Sequence, residues 1–240
     1  PADAVIEKVY LYWSGTLAQD GVAGPKSADP TVSLTLADGA SSAVSAGGAC
    51  TTIVHPSFGT TFPPFYYCRA DVTALVAAHP AGGSYNGAYI LGDVDADPGH
   101  IDGAGNCTET PNPNCQGKYA AWSMTVVYSA PSETLQRDIL IYDGFLMLDH
   151  RNGAGGSTGQ TSFTMNGFVA DSTAQGTLSF FAVESDSQLG QPPQDLFPAG
   201  HPFQCSTCQD FVRFNGTTLS DEQGWPGNIF NESAGIGSGI

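Results

Sequence analysis

A chain of 240 residues with 23 acidic and seven basic groups carries a formal charge of −16, so it presents no electrostatic footprint for nucleic-acid phosphates or anionic membrane surfaces. Only 12% of its residues are charged, yet no apolar run approaches the roughly 20 residues that span a bilayer. The expected object is one domain over residues 1–240, because all-β sandwiches and barrels reach this length as a single unit, with 234–240 as a Gly/Ser-rich tail or linker.

Taken in chain order, residues 5–13 (VIEKVYLYW) alternate two sets of β-formers and predict a strand buried on both faces. A Gly/Pro/Asp loop runs to Pro30, and residues 31–36 (TVSLTL) then alternate apolar with hydroxyl, the pattern of a half-buried sheet strand. After residues 62–68 the period changes. Asp71 is a cap, Val72, Leu75 and Val76 share one face and Pro80 stops it, which predicts one short helix over 71–80. Residues 85–91, 119–128, 138–145, 160–169, 176–184 and 211–215 predict further strands, separated by Pro131, the glycine loop 152–159 and 171–174. Many strands, one short helix and long polar loops describe an antiparallel β-sandwich or jelly roll.

The six cysteines fall into three close pairs, Cys50 with Cys68, Cys107 with Cys115 and Cys205 with Cys208, as local disulfide loops of an exported protein would. Fifteen connectivities remain open, and neighbour pairing is the preferred one. The start at Pro1-Ala2-Asp3, with neither initiator Met nor signal-peptide pattern, is expected of a chain whose export signal has been removed and equally of a recombinant product. An extracellular or cell-surface location is therefore expected, where sequons at Asn106, Asn215 and Asn231 matter only in a glycosylating pathway.

Four blocks resemble a β-sandwich domain of bacterial secreted and cell-surface, adhesin-like proteins: YLYWSG, then AWSMTVVYSAPSETLQRDILIYDGF, then NGFVA with LSFFAVESD, then FNGTTLSDEQGWPGNIFNES. Where that pattern has Gly-Trp-Ser or Gly-Trp-Ala, this chain has Ala121-Trp122-Ser123. The resemblance implies a non-enzymatic structural or adhesive module, and the expected partners are other copies, surface proteins or glycans. A homopolymer is the further step, because flat Thr/Ser-rich strands and polar Gly-rich termini suit addition to a neighbour's sheet edge.

The acidic run Asp93, Asp95, Asp97 and Asp102 has no Lys or Arg within it. Alternating carboxylates ahead of glycine are what a hard cation takes, so calcium is the expected cofactor, with a structural role in pinning a long crossover. The plainer alternative is a solvated acidic turn, since the EF-hand glycine position and closing Glu are missing and Pro98 intervenes. Glu184, Asp186 and Asp221 form a possible second metal cluster, against which stands the commoner use of acids as turn caps. His201, Cys205 and Cys208 offer three zinc-type ligands, but a structural site takes four, and a small disulfide loop is the better reading.

Catalytic patterns are sparse. There is no Gly-x-Ser-x-Gly elbow, and His55, His79, His100, His150 and His201 are scattered through loops. Asp143 and Asp149 are the nearest carboxylate pair for glycoside chemistry, though Asp143-Gly144 reads more simply as a turn. Tyr10, Tyr12, Trp13, Phe65, Tyr66 and Tyr67 offer either a sugar platform or core packing. The expectation is thus no enzyme. The alternative is a carbohydrate-binding module or glycan-acting hydrolase on a jelly-roll scaffold.

Overall fold

The structure is a computed structural model that describes residues 1, 3–18, 27–54, 64–97, 119–134, 138–144, 162, 164–167 and 213–218. The chain divides into two compact units, Pro1–Gly99 with Lys118–Phe168, and His100–Gly117 with Val169–Ile240. All the described elements except the final hairpin belong to the first.

The described residues of the first unit are mostly strands, in two antiparallel sheets with one short helix. A four-stranded sheet runs in the order β4 (Cys50–Ile53), β5 (Phe65–Asp71), β1 (Val5–Thr16), β7 (Ala120–Ser129). A three-stranded sheet runs β3 (Ser41–Ser45), β2 (Thr31–Thr35), β6 (Ile90–Gly92). Side-chain alternation decides what each strand gives to the core. From β1 come Val9, Leu11 and Trp13, from β5 Tyr66, Cys68 and Ala70, and from the second sheet Val32, Leu34 and Val44; all are buried in one cluster. A register shift between Ile6 and Lys8 inserts Glu7 as a bulge, which returns Ile6 to the core side with Val9.

Helix α1 (Thr73–Ala77) occupies the middle of the predicted helical stretch and buries Val76. Its entry is set by Asp71. That carboxylate accepts the Thr73 N–H at 3.0 Å and the Thr73 hydroxyl at 2.5 Å, and Thr73 Oγ1 in turn accepts the Val9 N–H at 2.9 Å. Asp71 is thus not the N-cap expected from the sequence: the N-cap is Val72, without a side-chain cap bond, and Asp71 makes an Asx turn onto Thr73 that ties the helix start to β1.

Strand β2 is the half-buried strand expected from the alternation of residues 31–36, with Val32 and Leu34 buried, whereas β3 and β4 are additions to the expected elements. Their residues are mostly Ser, Ala and Thr, too small to show a strong period, and turn chemistry carries the signal instead. Gly39 sits at φ +87° after Asp38, and Ala40 N–H donates to Asp38 Oδ1 at 2.9 Å. Three expected strands differ in the other direction, and of residues 85–91 only Ile90 and Leu91 join one, β6. Residues 138–144 and the described part of 160–169 lie outside any strand. Residues 138–144 are anchored through side chains instead, as shown below. The expected strand 176–184 lies outside the described residues.

In the second unit the described residues form one hairpin, β8 (Arg213–Phe214) and β9 (Thr217–Thr218). Asn215 and Gly216, at φ +48° and +83°, make the left-handed turn that an Asn-Gly pair favours. The sequence had marked Asn215 as a glycosylation sequon; its Asn-Gly dipeptide is also the hairpin signal.

Candidate functional site

The acidic segment begins where β6 ends. Asp93 adopts φ +60°, a left-handed conformation that Asp tolerates, and turns the chain back along the end of β1. From there the backbone is pinned three times. Asp95 N–H donates to Asp29 Oδ2 at 3.0 Å, Asp95 C=O accepts the Tyr66 hydroxyl at 2.8 Å, and Asp97 N–H donates to Thr16 C=O at 2.7 Å. Asp97 is only 1% exposed. Gly15 makes room for this crossing: a Cβ there would stand 2.9 Å from both the Ala96 Cβ and the Tyr66 ring.

Asp29 is the residue that sequence reasoning missed. Its Oδ1 accepts the Thr31 N–H at 3.1 Å, its Oδ2 holds Asp95, and its carbonyl accepts the buried Trp13 indole N–H at 2.8 Å. The signal was present as Asp-Pro-Thr at the head of β2, an Asx turn that aims the carboxylate at a neighbouring loop. Burial, with Asp29 and Asp95 nearby, pushes the Tyr66 phenol well above its ordinary range, so it stays protonated and donates.

Asp102 lies outside the described residues, as do Glu184, Asp186 and Asp221, the cysteines 107, 115, 205 and 208, and His55, His100, His150 and His201. Among the described residues no three His, Cys, Asp or Glu side chains gather closely enough to hold a metal ion. Cys50 and Cys68, opposite each other on β4 and β5, form a disulfide with their Cα atoms 4.2 Å apart. This is the neighbour pairing preferred from sequence. Cys68 is fully buried beside Trp13, so the bridge belongs to the core.

A second cluster occupies the outer face of β1 and β5. The same strands that send Trp13 and Tyr66 inward present Lys8, Tyr10, Tyr12, Tyr67, Arg69 and Asp71 outward, separating the six aromatics of the candidate platform. Phe65 stacks on Tyr119 with centroids 5.6 Å apart, while Tyr10, Tyr12 and Tyr67 form a row with spacings of 6.3 and 6.0 Å. Lys8 and Arg69 each lie 5.2 Å from the Tyr10 ring centroid.

Residues 138–144 bring Asp143 onto this face. Its Oδ1 accepts the Tyr67 hydroxyl and its Oδ2 pairs with Arg69 Nη1. Burial first, and then Asp143, push the Tyr67 phenol far above its ordinary range. At the other end of the row Lys8 Nζ meets Asp71 Oδ2 at 2.6 Å, and that contact, with the two from Thr73, draws the Asp71 carboxyl down to about 2. Asp143 is thus occupied by a guanidinium and a phenol; Asp149, its sequence partner for glycoside chemistry, lies outside the described residues.

No helix among the described residues is long and apolar enough to cross a membrane. Compared with known proteins, the chain matches no family model, no curated protein and no solved structure.

Proposed function

We propose that this chain is a non-enzymatic extracellular structural or adhesive surface module, a β-sandwich stabilised by disulfides and calcium, suited to a fibre or sheath. One observation carries the reading. The reactive-looking side chains of the outer face are paired with one another, Asp143 with Arg69 and Tyr67, and Asp71 with Lys8 and Thr73, as groups that hold a surface in shape. The core disulfide supports an exported setting. The three backbone anchors of residues 95–97 support a structural role for the acidic crossover, which calcium at Asp93, Asp95, Asp97 and Asp102 would complete.

Calorimetry with calcium and with chelator tests this. A calcium concentration about a hundredfold above Kd adds about 2.7 kcal/mol, a rise of several degrees in Tm. An Asp95→Asn, Asp97→Asn double variant should lose that increment, and equal calcium response in variant and parent refutes the metal assignment. Sedimentation at rising concentration tests the fibre: a strictly monomeric chain in calcium counts against it.

A second reading is favoured by the tyrosine row. Phenol rings beside Arg69 are the chemistry that sugar-binding faces use, and a glycan array run with and without calcium decides between surface scaffold and carbohydrate-binding module.

A further inference from the structure

Asn-Gly pairs occur at 86–87, 152–153, 166–167 and 215–216, and the fold holds the described ones in different ways. Asn166 has its backbone gripped by one hydroxyl: Tyr142 donates to its C=O at 2.8 Å and accepts its N–H at 2.9 Å. Asn215 and Gly216 form the left-handed turn between paired strands, at φ +48° and +83°. Asn86 and Gly87, by contrast, are both exposed and lie outside any strand or helix. The chain on either side of them is fastened. Asn86 N–H donates to Ser84 Oγ at 3.1 Å, and the Tyr89 hydroxyl donates to the Tyr85 C=O at 2.9 Å, spanning the pair. Gly87 crosses the head of the β2–β3 hairpin closely. A Cβ there would stand 2.8 Å from the Ala37 Cβ and 3.2 Å from the Ala37 carbonyl oxygen.

We propose that Asn86–Gly87 is a site of spontaneous deamidation, a covalent modification that ages the domain from within. The Gly87 backbone nitrogen attacks Asn86 Cγ, the bond from Cγ to the side-chain amide nitrogen breaks, and ammonia leaves with the proton that Gly87 gives up. Water then adds to either carbonyl of the cyclic imide, giving aspartate or isoaspartate without any change of oxidation state. Glycine permits the attack, since it has no Cβ to crowd the nitrogen. The close approach to Ala37 keeps glycine at this position, so packing itself preserves the labile pair. Isoaspartate adds a carbon to the main chain between the Tyr85 anchor and the Ala37 contact, just ahead of Ile90 and Leu91, which pair with Thr35 and Leu34. Each conversion also adds a negative charge to a chain already at −16. The product fits the crossing less well, and the seat of β6 on β2 loosens. The site does not depend on the function proposed above.

Incubation of the full chain at mildly alkaline pH, followed by peptide mass spectrometry at each Asn-Gly pair, tests it. Asn86 should convert ahead of Asn166 and Asn215, and an isoaspartyl methyltransferase should label the peptide that carries it. In urea, where the fold no longer separates them, the three should convert at similar rates. Retention of the Asn86 amide while Asn166 or Asn215 converts overturns the proposal, and so does an equal rate at all three in the folded chain. The effect on the crossing is read from the same samples. The converted parent should lose several degrees of Tm, whereas Asn86→Ser, incubated alongside, should keep its starting Tm. A converted parent with unchanged Tm, or an equal loss in Asn86→Ser, overturns the link between the modification and the seat of β6.

Discussion

The two faces of strands β1 and β5 are built from the same dozen or so residues and are stabilised by different physics. Inward, Val9, Leu11, Trp13, Tyr66 and Cys68 are fully buried, joined by a disulfide and by an indole hydrogen bond to Asp29. Outward, Lys8, Tyr10, Tyr67, Arg69 and Asp71 remain partly wet around the buried Tyr12 and hold one another through ion pairs, cation–π contacts and Asp143. Burial is insensitive to salt and pH, whereas exposed ion pairs are screened and give little stability each. The inner face should therefore decide whether the domain folds, and the outer face how one surface behaves.

The largest break in that contrast is Trp13→Ala. It empties a fully buried site and orphans the Asp29 carbonyl, so a loss of about 3–5 kcal/mol in denaturant unfolding is expected. Next is removal of the bridge by Cys50→Ser with Cys68→Ala. For a sequence separation of 18 residues the chain-entropy estimate is about 3 kcal/mol, and a reductant should leave the variant's midpoint unmoved while lowering the parent's.

Gly15→Ala tests the close crossing of the acidic segment. The added methyl meets Ala96 and the Tyr66 ring at 2.9 Å, and overpacking of this kind costs about 1–3 kcal/mol in thermal or chemical melts. On the outer face the effects shrink. Asp71→Ala should cost about 1 kcal/mol through the lost hydrogen bonds to Thr73. The same carboxylate has a pH signature. Its folded pKa lies below the unfolded value, so its contribution is complete above about pH 4 and is lost as pH falls toward about 2. A parent-minus-variant stability difference that is flat over that window would contradict the assignment.

Much of this was legible before any coordinates. Alternation over residues 5–13 located β1, though it predicted burial on both faces where Lys8 and Tyr10 stay partly exposed, and the change of period at Asp71 located the helix, because both signals are local and strong. The strand expected over 211–215 ends at Phe214, and Asn215-Gly216 turns the chain into a hairpin, a turn signal that the hydrophobic pattern does not carry. Residues 138–144 show the opposite case. Their ILIY run has the composition of a strand, but composition does not say whether a neighbour accepts the backbone hydrogen bonds, and here the anchors are Asp143 and Tyr142. The candidate site was half legible. Asp93, Asp95 and Asp97 stood out as a run of charge, whereas Asp29, distant in sequence, became visible only when Asp95 N–H was seen to bond to it.

The six aromatics near the two strands mark where local rules end. Periodicity alone makes Tyr66 and Tyr67 face opposite ways, and the cysteine spacing alone favours Cys50 with Cys68. Which of the two faces is sealed by a second sheet is another matter. The packing of β2 and β3 put Trp13 and Tyr66 inside and left Tyr10, Tyr12 and Tyr67 to Arg69 and Asp143. Strand period is a property of one chain segment, but burial is a property of what lies across from it, and that partner comes from elsewhere in the sequence.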